Sequence, residues 1–274
     1  MRHRGVGFGV KRGHMVQRQF LSPASDGGGS LAIRFQAEPS VVQDRPFLVP
    51  LGAEAVAQHR IYSVWRGELS GRVVLPDDVI YRQRSLGAVP AVPATLATTL
   101  AELCPLTDDG RTVGETHRLI FLPSTIDGIP TSVASLRDFA LDVGGPGKMV
   151  CFDQKWYDRE PFARTPLPLG RWILLYGAPA PGTLALNDDE QVAFVKRLGR
   201  YRTASVIETV GVIVMQALQN GERLFERTMV RCEECSSAGA RIAVGLFDER
   251  GFGLSDSFDD YRLPFLGRAL VRKL

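Results

Sequence analysis

A chain of 274 residues, 45% hydrophobic and 23% charged, has the make-up of a globular protein long enough to bury a full core. Four cysteines are too few for a disulfide scaffold, and no run of about eighteen apolar residues marks a membrane helix. The net charge of +3 is no nucleic-acid footprint: Arg2, Arg4, Lys11, Arg12 and Arg18 open the chain without an acid, and without these five the 33 basic residues fall to 28 against 30 acidic ones.

The basic start is followed by no apolar signal core, so a reducing cytoplasm is the expected compartment. Met1 and Met15 are alternative first residues. Residues 1–30 are expected as a disordered, basic, Gly/Ser-rich N-terminus that ends in Ser22–Ser30, a linker composition. Leu31–Gln36 alternates as a strand, Pro39–Pro50 reads as a loop, and Ile61–Arg66, rich in β-branched and aromatic residues, reads as a strand turning at Gly67–Gly71 into Arg72–Leu75. Residues 31–110 are therefore expected as a small strand-rich region, with one helix over Ala91–Leu103.

The main domain is expected over 111–274. His117–Leu122 is a buried strand, Thr131–Ala140 a helix, and Gly144–Gly147 a break. Phe152, Trp156, Tyr157 and Phe162 interleave with charges, a composition that suits a stacking platform or rings packed under loops. Arg171–Tyr176 is a core strand. Asn187–Glu190 and Ser205–Glu208 are two capping boxes, each opening a helix. The second helix, Val206–Gln219, is apolar almost all round and stops at Asn220-Gly221. Leu224–Cys232 and Arg241–Phe247 follow as paired strands, and Leu266–Leu270 as the last strand.

Motifs with chemistry are sparse. Cys232-Glu-Glu-Cys235 has zinc-knuckle or redox spacing, but no second close pair supplies the remaining ligands, and a strand end does not lower a thiol pKa. His117 has the chemistry of a general base without a nucleophile placed beside it; His3, His14 and His59 have no ligand spacing. Gly5–Gly9 follows no strand and opens no helix, so it is no phosphate loop. Asp248, Asp256, Asp259 and Asp260 lack calcium-loop spacing. No catalytic residue, metal ligand or cofactor is assigned. In Gly251–Arg262, short polar side chains alternate with rings, a composition of adaptable recognition surfaces. Asp256, Phe258, Asp259, Tyr261 and Arg262 are the candidate ligand-binding residues.

Three strings together resemble a group of uncharacterised bacterial proteins from environmental genomes: His117–Pro123 with Asp127–Pro130, Arg171–Leu175, and Gly221–Phe225 through Val244–Phe247 to Gly267–Lys273. The last part also resembles the variable end of target proteins of diversity-generating retroelements. That resemblance implies a C-type-lectin-like fold with a ligand-binding face near the C-terminus. The expected architecture is α+β, a C-terminal lobe of antiparallel strands packed on a buried helix. The expected function is non-enzymatic binding of a protein or small ligand through a C-terminal recognition loop, with neither membrane nor nucleic acid as partner. The alternatives are a hydrolase or zinc-dependent enzyme using His117 and the Cys232/Cys235 pair, and a structural interaction protein.

Overall fold

The computed structural model describes residues 53–144 and 156–274. In chain order these form α1 (Ala53–Glu68), β1 (Val73–Val74), a 3₁₀ turn (Val79–Tyr81), α2 (Leu96–Ala101), α3 (Val113–Thr116), β2 (His117–Leu122), β3 (Thr125–Ile126), β4 (Ile129–Pro130) and α4 (Val133–Gly144). A second 3₁₀ turn (Trp156–Arg159), α5 (Pro161–Arg164), β5 (Arg171–Tyr176), α6 (Asp188–Arg197), β6 (Tyr201–Thr203) and α7 (Val206–Asn220) follow. Then come β7 (Met229–Cys235), β8 (Arg241–Asp248), β9 (Gly251–Ser257), β10 (Leu266–Arg268) and β11 (Leu270–Arg272). The protein is α+β, as expected. The linker 1–30, the strand Leu31–Gln36, the loop Pro39–Pro50, His3, His14, the glycines of Gly5–Gly9, Cys151 and Phe152 lie outside the described residues.

Sheet I has the order β1-β2-β5-β11-β6, with β1 parallel to β2 and the rest antiparallel. Its strands alternate between two cores. Leu119, Phe121, Trp172, Leu174 and Leu270 meet Tyr62, Trp65 and Leu100 from α1 and α2. Ile120, Leu122, Ile173, Leu175 and Val271 turn the other way, into the cluster that holds Val210, Ile213 and Val214 of α7. A sheet covered on both faces needs apolar residues at every position, which is why His117–Leu122 and Arg171–Tyr176 read as nearly unbroken apolar runs.

Helix α7 also touches β7 and β8 of sheet II, whose order is β10-β7-β8-β9. Burial against both sheets explains its all-round apolar surface. Its ends are local: Ser205 Oγ accepts from the Glu208 N–H at 3.3 Å, Glu208 accepts from the Ser205 N–H at 3.0 Å, and Gly221 closes the helix at φ 69°. Among the described residues no helix is long and apolar enough to cross a membrane.

Four expectations change. Ile61–Arg66 is the second half of α1 and not a strand: Tyr62, Trp65 and Leu69 are buried at helical spacing, and this shared face outweighs the β propensity of Ile61 and Val64. The described part of the expected strand-rich 31–110 region holds α1, α2, a 3₁₀ turn and irregular chain, with two-residue β1 as its one strand, and β1 pairs with β2 of the 111–274 stretch. The expected strand Leu224–Cys232 starts only at Met229, because Phe225 stands at φ 59° in a turn. The expected last strand Leu266–Leu270 is two strands in two sheets. The chain changes sheet at buried Ala269, whose N–H bonds Arg231 O at 3.1 Å while its carbonyl accepts from Ala204 N–H at 3.0 Å.

Strand β8 shifts register against β9 between Gly245 and Asp248. Gly245 stands at φ 147°, and a Cβ there would lie 2.2 Å from Thr228 O. Gly245→Ala is expected to cost about 2–3 kcal/mol in urea unfolding, since the obstacle is backbone that must move as well as strain; a change below about 0.5 kcal/mol would contradict it.

Candidate functional site

Alternation along sheet II gives it a second, unusual face. Val230, Cys232, Ile242, Val244 and Leu254 face the α7 core. The residues between them face outward. Met229 and Ala243 lie there with Leu266 in a small separate cluster. Arg231 pairs in register with Ala243 and with Arg268, and Arg241 with Ser257, so three arginines share this outer face.

What covers them is the segment 258–265. β9 and β10 are opposite edges of sheet II, and both run parallel to β7. The chain leaves β9 at Ser257, level with the C-terminal end of β7, and must re-enter at Leu266, opposite Met229 at its start. The segment between is folded by two tight turns, Tyr261 N–H to Phe258 O and Leu266 N–H to Leu263 O, both at 3.1 Å. Its place over the arginine face is set by the bonds that Arg231 makes to it.

Arg231, fully buried, holds it down. Its Nε donates to Ser257 Oγ at 3.0 Å, Nη1 to Leu186 O at 3.2 Å, and Nη2 to Phe258 O and Tyr261 O at 3.0 and 2.8 Å. Asp188, the first residue of α6, is the carboxylate of the cluster: it pairs with Arg268 and, at 2.9 Å, with Arg241, while its N–H donates to Asp259 O at 2.9 Å. Burial pushes the Arg231 and Arg268 guanidinium groups below their ordinary range, and the Asp188 charge works against that.

On the solvent side, Phe258 and Tyr261 are 52% and 43% exposed, with ring centroids 5.4 Å apart and edge to face. Asp259, Asp260 and Arg262 are exposed beside them, and Arg262 pairs with Glu190 of α6 at 2.7 Å. Asp256 is exposed but sits elsewhere. It pairs with Ile242 on β8, so the pleat sends it to the opposite face of sheet II from Ser257. Four of the five candidate residues thus share the crossing segment. Arg231, Arg241, Arg268 and Asp188, which position it, carry a sequence signal that went unread: Arg231 alternates with buried Val230 and Cys232, and a charged residue at period two on a strand marks a second face needing its own cover.

The chemical candidates are placed apart. His117 is 1% exposed. Its Nδ1 lies 3.1 Å from Val113 O, which can only accept, so the proton sits on Nδ1 and Nε2 accepts from Tyr201 O–H at 3.2 Å. Burial lowers its pKa to about 3, against the raising effect of the Val113 bond. A histidine buried neutral holds stability that is complete above the unfolded value near 6.5 and is lost as pH falls towards 3, because only the unfolded chain takes up the proton. Between pH 6.5 and 5, unfolding free energy is expected to fall by about 1.7 kcal/mol more in the native chain than in His117→Gln, the slope rising towards about 1.4 kcal/mol per pH unit at the acid end; parallel slopes would refute it.

Cys232 is buried beside Thr209 Oγ1 at 3.3 Å, and burial raises its pKa, whereas Cys235 is exposed. No group of three or more His, Cys, Asp or Glu residues suited to a metal occurs among the described residues. Tyr157 and Phe162 pack in the core and Trp156 is 40% exposed. A concavity of about 630 Å³ lies beside α1, α2 and α3, and neither His117 nor Cys104, Cys232 or Cys235 lines it. Compared with protein-family models, curated proteins and solved structures, the chain matches none.

Proposed function

We propose that this protein is a non-enzymatic binding module whose crossing segment, Phe258–Arg262, contacts a protein or small ligand. The observation that carries the reading is the exposed edge-to-face pair Phe258/Tyr261, mounted on a backbone whose carbonyls at both ring positions are fixed by one buried arginine. Exposed rings on a rigid support lose little conformational entropy on binding. The resemblance to retroelement target proteins, with a variable ligand-binding face near the C-terminus, points to the same stretch. A hydrolase or zinc-dependent reading would need His117, Cys232 and Cys235 at one accessible place, and His117 and Cys232 are buried in different clusters.

The double variant Phe258→Ser/Tyr261→Ser is expected to unfold within about 0.5 kcal/mol of the native chain, since both rings are exposed. It is expected to lose at least tenfold in affinity for ligands selected from peptide and glycan arrays. Undiminished binding by the double variant would sink the proposal. A second check is the pattern of differences among closely related chains of one genome: confinement to residues 250–265 supports recognition, and even scatter along the chain opposes it.

A further inference from the structure

The groove of about 630 Å³ is a separate surface, on the α1/α2 side of sheet I. One wall is α1, where Ile61 and Val64 stand 37% and 53% exposed. The other wall belongs to α2 and the turn before it, where Ala94, Ala97 and Ala101 repeat at i, i+3 and i+7. The alanines leave unfilled the volume that longer side chains would occupy, so apolar surface faces water along both walls. Small residues facing β-branched ones across a trough let a third helix approach closely, with its apolar side chains reaching past the alanines.

Charge sets the orientation of an occupant. Arg60 stands at one end of the groove and Glu68 and Glu115 at the other. Eight residues of helix separate Arg60 from Glu68, about 12 Å along the axis. The Glu115 carboxylate is engaged by the Thr112 N–H and hydroxyl. Neither Arg60 nor Glu68 forms a side-chain ion pair among the described residues. Arg72 and Arg111 act on the Glu115 charge, so Glu68 is the acidic end; it and Arg60, with the apolar floor between them, define a complementary shape and polarity.

We infer that this groove docks an amphipathic helix of a partner protein, with apolar side chains at i, i+3 or i+4 and i+7, an acidic residue beside Arg60 and a basic residue about eight positions away beside Glu68. This does not depend on the crossing segment and uses none of its residues.

The test is selection of helical 18-residue peptides from a display library against the full chain, followed by titration of the enriched peptides. The expected winners carry that apolar spacing with an acid and a lysine or arginine about eight residues apart. Ala97→Trp, which fills the groove, and Val64→Arg, which charges its lip, are each expected to weaken them at least tenfold without changing the circular dichroism spectrum. Arg60→Glu is expected to weaken them about tenfold, with affinity regained when the peptide's acid is changed to lysine. Winners indifferent to both Ala97→Trp and Val64→Arg, or no enrichment of the charge pattern, would overturn the inference. So would competition by a peptide of residues 31–52, which makes the chain its own occupant, or a dimer dissociated by Val64→Arg, which makes the occupant a second copy.

Discussion

Asp188→Ala is expected to destabilise the protein by about 3–5 kcal/mol, measured as a fall in the urea midpoint at unchanged slope. The side chain is 4% exposed and sits between Arg268, itself 3% exposed, and Arg241. Removing it leaves Arg268 with the Thr203 hydroxyl, at 3.1 Å from Nε, as its remaining side-chain partner. Two further arginines then face it without a carboxylate between them. The cost is that of burying uncompensated charge and exceeds the net worth of the pair. The double variant Asp188→Ala/Arg268→Met is therefore expected to be more stable than Asp188→Ala alone, because it removes the stranded charge as well. A single variant losing under about 1 kcal/mol, or a double variant losing more than the single, would show that water reaches the cluster and the charges are not held by Asp188.

Arg231→Met should lose about 2–4 kcal/mol and, more diagnostically, release the crossing segment. Two effects oppose each other. Arg231 makes four hydrogen bonds to neutral acceptors, each of the kind worth about 1.5–3 kcal/mol when the donor is charged. Against this, its charge is repelled by Arg268 and Arg241, so neutralising it brings relief. The hydrogen bonds win, because Tyr261 O loses its donor while Phe258 O and Leu186 O keep one weaker partner each, the Tyr261 N–H at 3.1 Å and Gln191 Nε2 at 3.4 Å, and nothing then ties the segment to β7. Amide hydrogen exchange at 258–262 is expected to accelerate at least tenfold while exchange in α7 keeps its rank order. Arg231→Lys tests the geometry: a lysine keeps the charge but cannot fork between Ser257, Leu186, Phe258 and Tyr261, so it should behave no better than methionine. Full rescue by lysine would mean that charge alone, and not the planar fork, holds the segment.

These two variants also connect stability to the proposed recognition. The rings of Phe258 and Tyr261 have no core of their own, and their placement is inherited from backbone atoms bonded to Arg231. Arg231→Met should thus weaken ligand binding through the segment even though Arg231 never meets solvent.

Much of the framework was legible in the chain because it is local. The capping boxes at Asn187–Glu190 and Ser205–Glu208 join groups three residues apart, and the αL stop at Gly221 needs only its own backbone. Apolar alternation placed β5, most of β8 and the buried helix α7, since period and burial are written residue by residue. The same rule misread Ile61–Arg66, where β-branched residues suggested a strand and only packing on sheet I made the helix.

What the sequence by itself determined is the α+β framework, the buried helix, its caps, and a polar, ring-bearing stretch after Gly251. Tertiary structure alone decided the rest. It set Arg231 beside Arg268 across 37 positions, Asp188 against Asp259 across 71, and Ala269 at the join of two sheets. It also divided the candidate residues, sending Asp256 to one face of sheet II and Phe258–Arg262 across the other. The physical reason is reach. Caps, periods and turns are governed by neighbours within one helical turn or strand pleat. The crossing segment is governed by strand order, by the two turns that fold it, and by a buried guanidinium whose acceptors come from two separate parts of the chain, Leu186 and Ser257–Tyr261.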